Sequence, residues 1–223
     1  MNKQMSSLLK PVVAVVTMTL ATFAAQAQAP AGDVKAGESK AAMCIGCHGI
    51  PGYQNSFPEI HKVPQIQGQS DKYIAGALAA YKKGDRKHPT MRGIAASLSD
   101  QDMADLAAFY ASQAKGTAPE TPSKAASGPV AELLTKGACV SCHGANFSKP
   151  IDPSYPKIAG QHADYLTVAL KAYKTEKAGN VGRSNGVMAG QVKQFTNAEL
   201  KAIAKYIGSL PTELATVPQG KFR

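Results

Sequence analysis

The chain has 223 residues, 25 Lys and Arg against 15 Asp and Glu, a formal charge of +10 and four cysteines. All four cysteines fall in two short motifs, which excludes a disulfide-stapled scaffold. Beyond the N-terminal apolar run no segment is apolar enough to cross a bilayer.

Lys3 and Lys10 precede an apolar run from Pro11 to Ala25 that closes on Ala25-Gln26-Ala27. A basic n-region, a short h-region and an A-x-A site make residues 1–27 a secretory signal peptide, cut before Gln28. The remaining 196 residues, 28–223, suffice for one medium domain or two small ones. An internal repeat decides for two, over 28–113 and 130–223. Residues 114–129 join them as a linker, with Pro119, Pro122, Ser and Thr and no periodicity.

Residues 33–47 carry Ala36, Ala41, Ala42 and Met43 among Lys and Glu, which predicts a short helix delivering Cys44 and Cys47. Its counterpart runs from Pro129, suited to a first helical turn, to Cys142, with Leu133 and Leu134 on the apolar side. Each helix ends in the same motif, Cys44-Ile-Gly-Cys47-His48 and Cys139-Val-Ser-Cys142-His143. Cys-x-x-Cys-His is the attachment signature of c-type haem. Two thiols one turn apart can add to the two vinyl groups, and the following histidine lies beneath the iron. A thioredoxin-like pair or a zinc ribbon would not require histidine after the second thiol in both copies. A ribbon would also hold its pairs closer together than Cys47 and Cys139. The expectation is two covalently attached haem c groups.

A loop follows each motif and converges on a shared pattern, Pro64-Gln-Ile66-Gln-Gly68-Gln69 and Pro156-Lys-Ile158-Ala-Gly160-Gln161. A ligating histidine needs its second ring nitrogen fixed by an acceptor. The Pro64 and Pro156 carbonyls are the candidates for His48 and His143, with Ile66 and Ile158 covering the macrocycle. Amphipathic helices come next: Tyr73, Ala77, Leu78 and Tyr81 match Tyr165, Ala169, Leu170 and Tyr173, as pocket wall and core.

The sixth iron ligand is expected after this helix. A methionine thioether there favours reduced iron and raises the potential. Beyond the signal peptide only Met43, Met91, Met103 and Met188 exist. Met91 lies seven residues before Leu98, and Met188 seven before Phe195, each in a loop. These two are the candidate ligands, while Met103 and Met43 read as core filler. Ser99-Asp-Gln-Asp102 and Thr196-Asn-Ala-Glu199 then predict N-caps of two closing helices. Met103, Leu106 and Tyr110, and Leu200, Ile203 and Ile207, form their buried stripes. His61, His88 and His162 do not repeat and read as surface or capping residues.

Haem motif, Pro-x-Ile-x-Gly, aromatic helix, methionine loop and terminal helix make each half resemble a class I cytochrome c. Two in tandem behind a secretory signal resemble the c4-type dihaem cytochromes over essentially the whole mature chain. The resemblance implies an all-α fold, two domains related by pseudo-twofold symmetry, haems near their interface, and periplasmic electron transfer, often to a terminal oxidase. The first methionine loop departs from the family form of the second, Asn185-Gly-Val-Met188-Ala-Gly190, and differs from it in length by five residues.

Two protein ligands on each iron leave no open site, so the leading function is a one-electron carrier and not an enzyme. The alternatives are a dihaem subunit of a dehydrogenase, such as a flavin-containing sulfide oxidiser, or a haem peroxidase with one iron open. Residues 28–113 carry 9 basic against 8 acidic residues, net +1, whereas 130–223 carry 12 against 6, net +6. That asymmetry suggests docking of the second half on an acidic redox partner, a membrane oxidase or dehydrogenase, or loose association with anionic lipid. Nucleic acid is not an expected partner of an exported haem protein.

Overall fold

A computed structural model describes residues 30–117, 119–122, 124–175 and 179–218. The signal-peptide reading of 1–27 lies outside the described residues. Among them the chain forms ten helices and four two-residue strands, so it is all-α in character.

The first half runs α1 (Val34–Lys40), α2 (Ala42–His48), β1 (Gln54–Asn55), β2 (His61–Lys62), α3 (Asp71–Lys83), β3 (Arg86–Lys87), α4 (Pro89–Ala96) and α5 (Asp100–Ala111). The second repeats it without the β1–β2 hairpin: α6 (Pro129–Lys136), α7 (Val140–His143), α8 (Ala163–Lys174), β4 (Gly182–Arg183), α9 (Gly186–Lys193) and α10 (Asn197–Gly208). The expected helix over 33–47 is two helices. Asp33 caps the first, accepting from Ala36 N–H at 2.6 Å, and a tight turn at the fully buried Ala41 redirects the chain. The expected run from Pro129 to Cys142 is likewise cut, at Gly137-Ala138, where Ala138 adopts φ +44°.

The closing helices start as the sequence predicts. Ser99 and Asp102, and Thr196 and Glu199, form reciprocal capping boxes. α1 crosses α5 and α6 crosses α10, and the first cysteine of each pair, Cys44 or Cys139, packs against the core that the terminal helix of its half helps to build. The first crossing is close because Gly37 has no side chain. A Cβ there would lie 2.0 Å from the Asp105 carbonyl oxygen. Lys40 adds ion pairs to Asp105 at 2.6 Å and to Asp102 at 2.7 Å. Ile45, Ile74, Leu106 and Phe109 anchor the first core, and Leu134, Leu166, Leu200 and Ile203 the second.

The two halves meet about a pseudo-twofold axis, so that residue i of one half meets residue j of the other and the reverse. β3 pairs antiparallel with β4, with the equivalent arginines Arg86 and Arg183 opposite one another. Gln69 binds the main chain of Lys157 in the second half, and its equivalent Gln161 binds the main chain of Gln65 in the first. The side chains of Lys157 and Gln65 in turn donate to the carbonyls of Gly68 and Gly160, at 2.9 and 3.0 Å. Those two glycines repeat for one reason. Both have positive φ, +81° and +64°, and a Cβ on either would strike the tail after α10, at Glu213 and Thr212.

That tail was not legible in the sequence. It returns to the first half, where Ala215 N–H donates to Gln67 O at 3.0 Å and Lys115 N–H to Glu213 O at 3.1 Å. Linker residues lie on the second half, with Asn146 donating to Pro119 O at 2.6 Å and Tyr206 to Lys124 O at 2.9 Å. Among the described residues no helix is long and apolar enough to cross a membrane.

Candidate functional site

Each cysteine motif is a single helical turn whose end is tied to the loop that follows. His48 closes α2 and His143 closes α7, and both rings are buried. His48 Nδ1 lies 2.9 Å from the Pro64 carbonyl oxygen, and His143 Nδ1 lies 3.0 Å from that of Pro156. A carbonyl only accepts, so Nδ1 carries the proton in both rings and Nε2 is left with its lone pair. Burial pushes both imidazoles below their ordinary value, with the proline carbonyl opposing it more weakly. Both are neutral at pH 7, as a metal-ligating imidazole must be. The four thiols are free, and burial raises Cys44 and Cys139 above the usual thiol range.

One cavity of about 370 Å³, open to solvent at its mouths, is lined by both sets of these residues. Cys44, Cys47, His48, Pro64, Ile66 and Met91 face it from the first half. Cys139, Cys142, His143, Pro156, Ile158 and Met188 face it from the second. The structure thus brings together, half by half, the candidate cysteines, histidines, prolines, isoleucines and methionines of each haem site. The equivalent tyrosines and leucines of α3 and α8 form its walls.

The methionines sit differently from expectation. Met91 and Met188 are the third residues of the short helices α4 and α9, not loop residues. The residue three before each supplies the cap: His88 Nδ1 accepts from Met91 N–H at 3.4 Å, and Asn185 Oδ1 from Met188 N–H at 3.0 Å. Pro89 at the first turn of α4 assists. Met103 is buried core, but Met43 is 59% exposed at the cavity mouth, so it is not core filler. His61 is not a surface residue either. It is 5% exposed, bonded through Nδ1 to the Glu59 carbonyl at 2.7 Å and tilted against Tyr165. His162 occupies the N-cap position of α8 without a side-chain cap bond.

Two cavity residues escaped the sequence reading. Arg86 donates to Tyr165 Oη at 2.7 Å and Tyr73 Oη at 3.2 Å, and Arg183 to Tyr165 Oη at 3.0 Å. Arg86 also lies over the Tyr81 ring, and Arg183 over Tyr165 and Tyr173. Burial would raise the Tyr165 phenol, but the guanidiniums of Arg183 and Arg86 outweigh it and hold the group below its ordinary value. Among the described residues neither arginine has a carboxylate partner, and Arg86 Nε is buried without an acceptor. The repeat carried the signal, since Arg86 stands five residues before Met91 and Arg183 five before Met188.

These observations fit two haems. The macrocycle needs apolar walls, the thioethers need paired thiols beside a neutral imidazole, and the propionates need cations. The cavity offers each, and its orphaned guanidinium atom awaits an anionic acceptor.

Comparison with known proteins agrees. The cytochrome c family profile matches residues 34–114 and again 129–211. Cytochrome c4 of Pseudomonas aeruginosa is 32% identical over 188 residues, 81% of this chain and 90% of the relative. A thiosulfate dehydrogenase electron acceptor of Stutzerimonas stutzeri is 32% identical over 197 residues, 83% of this chain and 88% of the relative. Among solved structures, reduced cytochrome c4 from Pseudomonas stutzeri superposes with a TM-score of 0.61 at 28% identity, covering 81% of this chain and all of that one.

Proposed function

The chain belongs to the cytochrome c family, as two of its domains in tandem in the manner of the c4-type dihaem cytochromes, and from that premise we propose how its residues carry electrons. It binds two covalent haem c groups and is an electron carrier, not an enzyme. In the unit read as 28–113, Cys44 and Cys47 would hold one haem through thioethers, with His48 Nε2 and the Met91 sulfur as its iron ligands. In the unit read as 130–223, Cys139, Cys142, His143 and Met188 would do the same. Bound haem iron supplies a one-electron couple; everything else is done by the polypeptide.

The carbonyls of Pro64 and Pro156 hold each imidazole in one tautomer and one orientation. Apolar walls from Ile66, Leu78, Ile158 and Leu170 exclude water, which favours the less charged, reduced state. Arg86 and Arg183, opposite one another at the seam between the units, would neutralise haem propionates there. The observation that carries this reading is the single cavity lined by both thiol–imidazole–thioether sets. Residues of both units line the same cavity, so the two haems would lie close enough for an electron entering one unit to pass to the other. Two haems per chain, each cycling through one electron in a reductive titration, is the expected measurement. One haem per chain, or an iron that binds cyanide readily at neutral pH, would overturn it.

The physiological setting we propose is the periplasm, with a redox protein of acidic surface docking on the second unit. The support is that unit's net +6, which up to two propionates lower but do not reverse. A bimolecular rate that falls steeply as salt rises from about 0.01 to about 0.15 M, where the screening length shrinks from ~30 to ~8 Å, fits that docking. A flat rate removes it. A terminal oxidase is one such partner. The similarity to a thiosulfate dehydrogenase electron acceptor favours a second, a sulfur-oxidising dehydrogenase as electron donor. Reduction of this protein by such a dehydrogenase and thiosulfate, at a rate matching turnover, would select that donor.

A further inference from the structure

We infer that each unit tunes the axial histidine of the other, through a hydrogen-bonded relay that crosses the interface twice. The inference rests on His48 and His143 being the iron ligands. The residues are Gln69 and Gln161, both 4% exposed and equivalent in the repeat.

Gln161 Oε1, from the second unit, accepts from Gln65 N–H at 3.0 Å. That N–H belongs to the same peptide group as the Pro64 carbonyl, whose oxygen takes the His48 Nδ1 proton at 2.9 Å. Gln69 Oε1, from the first unit, accepts from Lys157 N–H at 2.9 Å. The Pro156 carbonyl on that peptide group takes the His143 Nδ1 proton at 3.0 Å. Each carboxamide therefore sits one peptide away from the imidazole of the opposite unit.

The orientation of each carboxamide is fixed by its other bonds. Gln161 Nε2 donates to Gln65 O at 2.8 Å, and Gln69 Nε2 donates to Lys157 O at 2.8 Å. Oε1 also takes a second N–H, from His162 or Ser70, at 3.0 Å. A flipped amide would set N–H against N–H twice and oxygen against oxygen once, so only this assignment satisfies every group.

A peptide group whose N–H is given to an acceptor becomes a stronger acceptor at its own oxygen, by about 10–30% per bond in a chain. The Pro64 and Pro156 oxygens then pull harder on the Nδ1 protons. Each ring becomes more electron-rich and a better donor through Nε2, which favours oxidised iron and lowers the potential. Removing Gln161 should raise the potential in the first unit, and removing Gln69 should raise it in the second. A carboxamide that merely joined the units would, when lost, disturb both pockets alike or chiefly its own.

The test uses the full haem-loaded protein, reduced and 15N-labelled, with Gln161→Met and Gln69→Met as near-isosteric replacements lacking both donor and acceptor. The expected result is crosswise. Gln161→Met moves the His48 Nδ1–H resonance upfield and raises the first-unit potential, leaving His143 in place; Gln69→Met does the reverse. Gln161→Glu, which keeps an acceptor oxygen, leaves the His48 resonance at or downfield of its wild-type position. Shifts confined to the mutated unit, equal shifts in both units, or an upfield shift in Gln161→Glu would overturn the relay. Iron ligation is judged separately, by the ε-methyl resonances of Met91 and Met188 in the wild-type spectrum. Their absence refutes the ligand assignment, whereas unmoved Nδ1–H resonances with the methyls in place refute the relay alone.

Discussion

Gly37→Ala adds one methyl at the crossing of α1 and α5, the contact just before the helix that carries the first cysteine pair. Helix propensity alone would favour alanine by about 1 kcal/mol. Against that, the new Cβ would lie 2.0 Å from the Asp105 carbonyl oxygen and 2.7 Å from Phe109 Cβ. Neither neighbour is the end of a flexible chain that can swing aside, so the cost falls at the upper end of the ~1–3 kcal/mol typical of overpacking. The difference is a net loss of about 1–2 kcal/mol. Gly76→Ala is the control. It lies within α3 on an exposed face where a Cβ meets nothing within 4 Å, so it should gain about 0.5–1 kcal/mol. Urea unfolding of the haem-loaded protein, followed by haem absorbance and backbone dichroism, reads both. With a slope of about 1–3 kcal/mol per molar, the Gly37→Ala midpoint should fall by roughly 0.5–1 M while that of Gly76→Ala rises. A Gly37→Ala protein as stable as wild type would refute the close crossing.

Ser99→Ala removes the oxygen that accepts Asp102 N–H at 3.1 Å at the start of α5, and should cost about 1 kcal/mol by the same assay. Thr196→Ala, which removes the equivalent contact to Glu199 N–H at 3.2 Å in α10, should cost a similar amount. Lys40 predicts a pH dependence. Its ammonium holds the Asp105 carboxyl down at about 2 and that of Asp102 lower still. Carboxyls depressed below their unfolded value of ~4 stabilise the fold above that pH and lose the contribution as pH falls through the folded value. Wild type should therefore be more stable than Lys40→Met at neutral pH, with the two stability curves converging between about pH 4 and pH 2. Parallel curves would show that the clasp contributes nothing.

Much of this architecture was legible because the chain states it twice. Cys-x-x-Cys-His, the proline–isoleucine–glycine loop and the capping boxes each appear in both halves, and chance alignment at one site does not survive repetition at the second. Helix breaks were not legible. A turn at Ala41 obeys tertiary packing against the terminal helix, which local propensity does not report. Met91 and Met188, expected in loops, are helical because the caps at His88 and Asn185 start a turn there, with Pro89 pre-set for the first turn of α4 and despite the low helix propensity of Gly186 and Gly190. His88 and Asn185 hold the same position with different chemistry, so comparing the halves by residue type hid their shared role. Arg86 and Arg183 do repeat, but their meaning depends on burial and on lacking acidic partners, neither of which a sequence displays. The Gln69 and Gln161 contacts are harder still, because they join halves whose relative placement no local pattern encodes.

The assignment of Met91 and Met188 as the sulfur ligands is met most directly by the near-infrared charge-transfer absorption of the oxidised protein, which reports methionine bound to ferric haem. Met91→Ala and Met188→Ala should each remove about half of its intensity, and the double variant all of it. Undiminished absorption in either single variant would contradict methionine ligation in that unit.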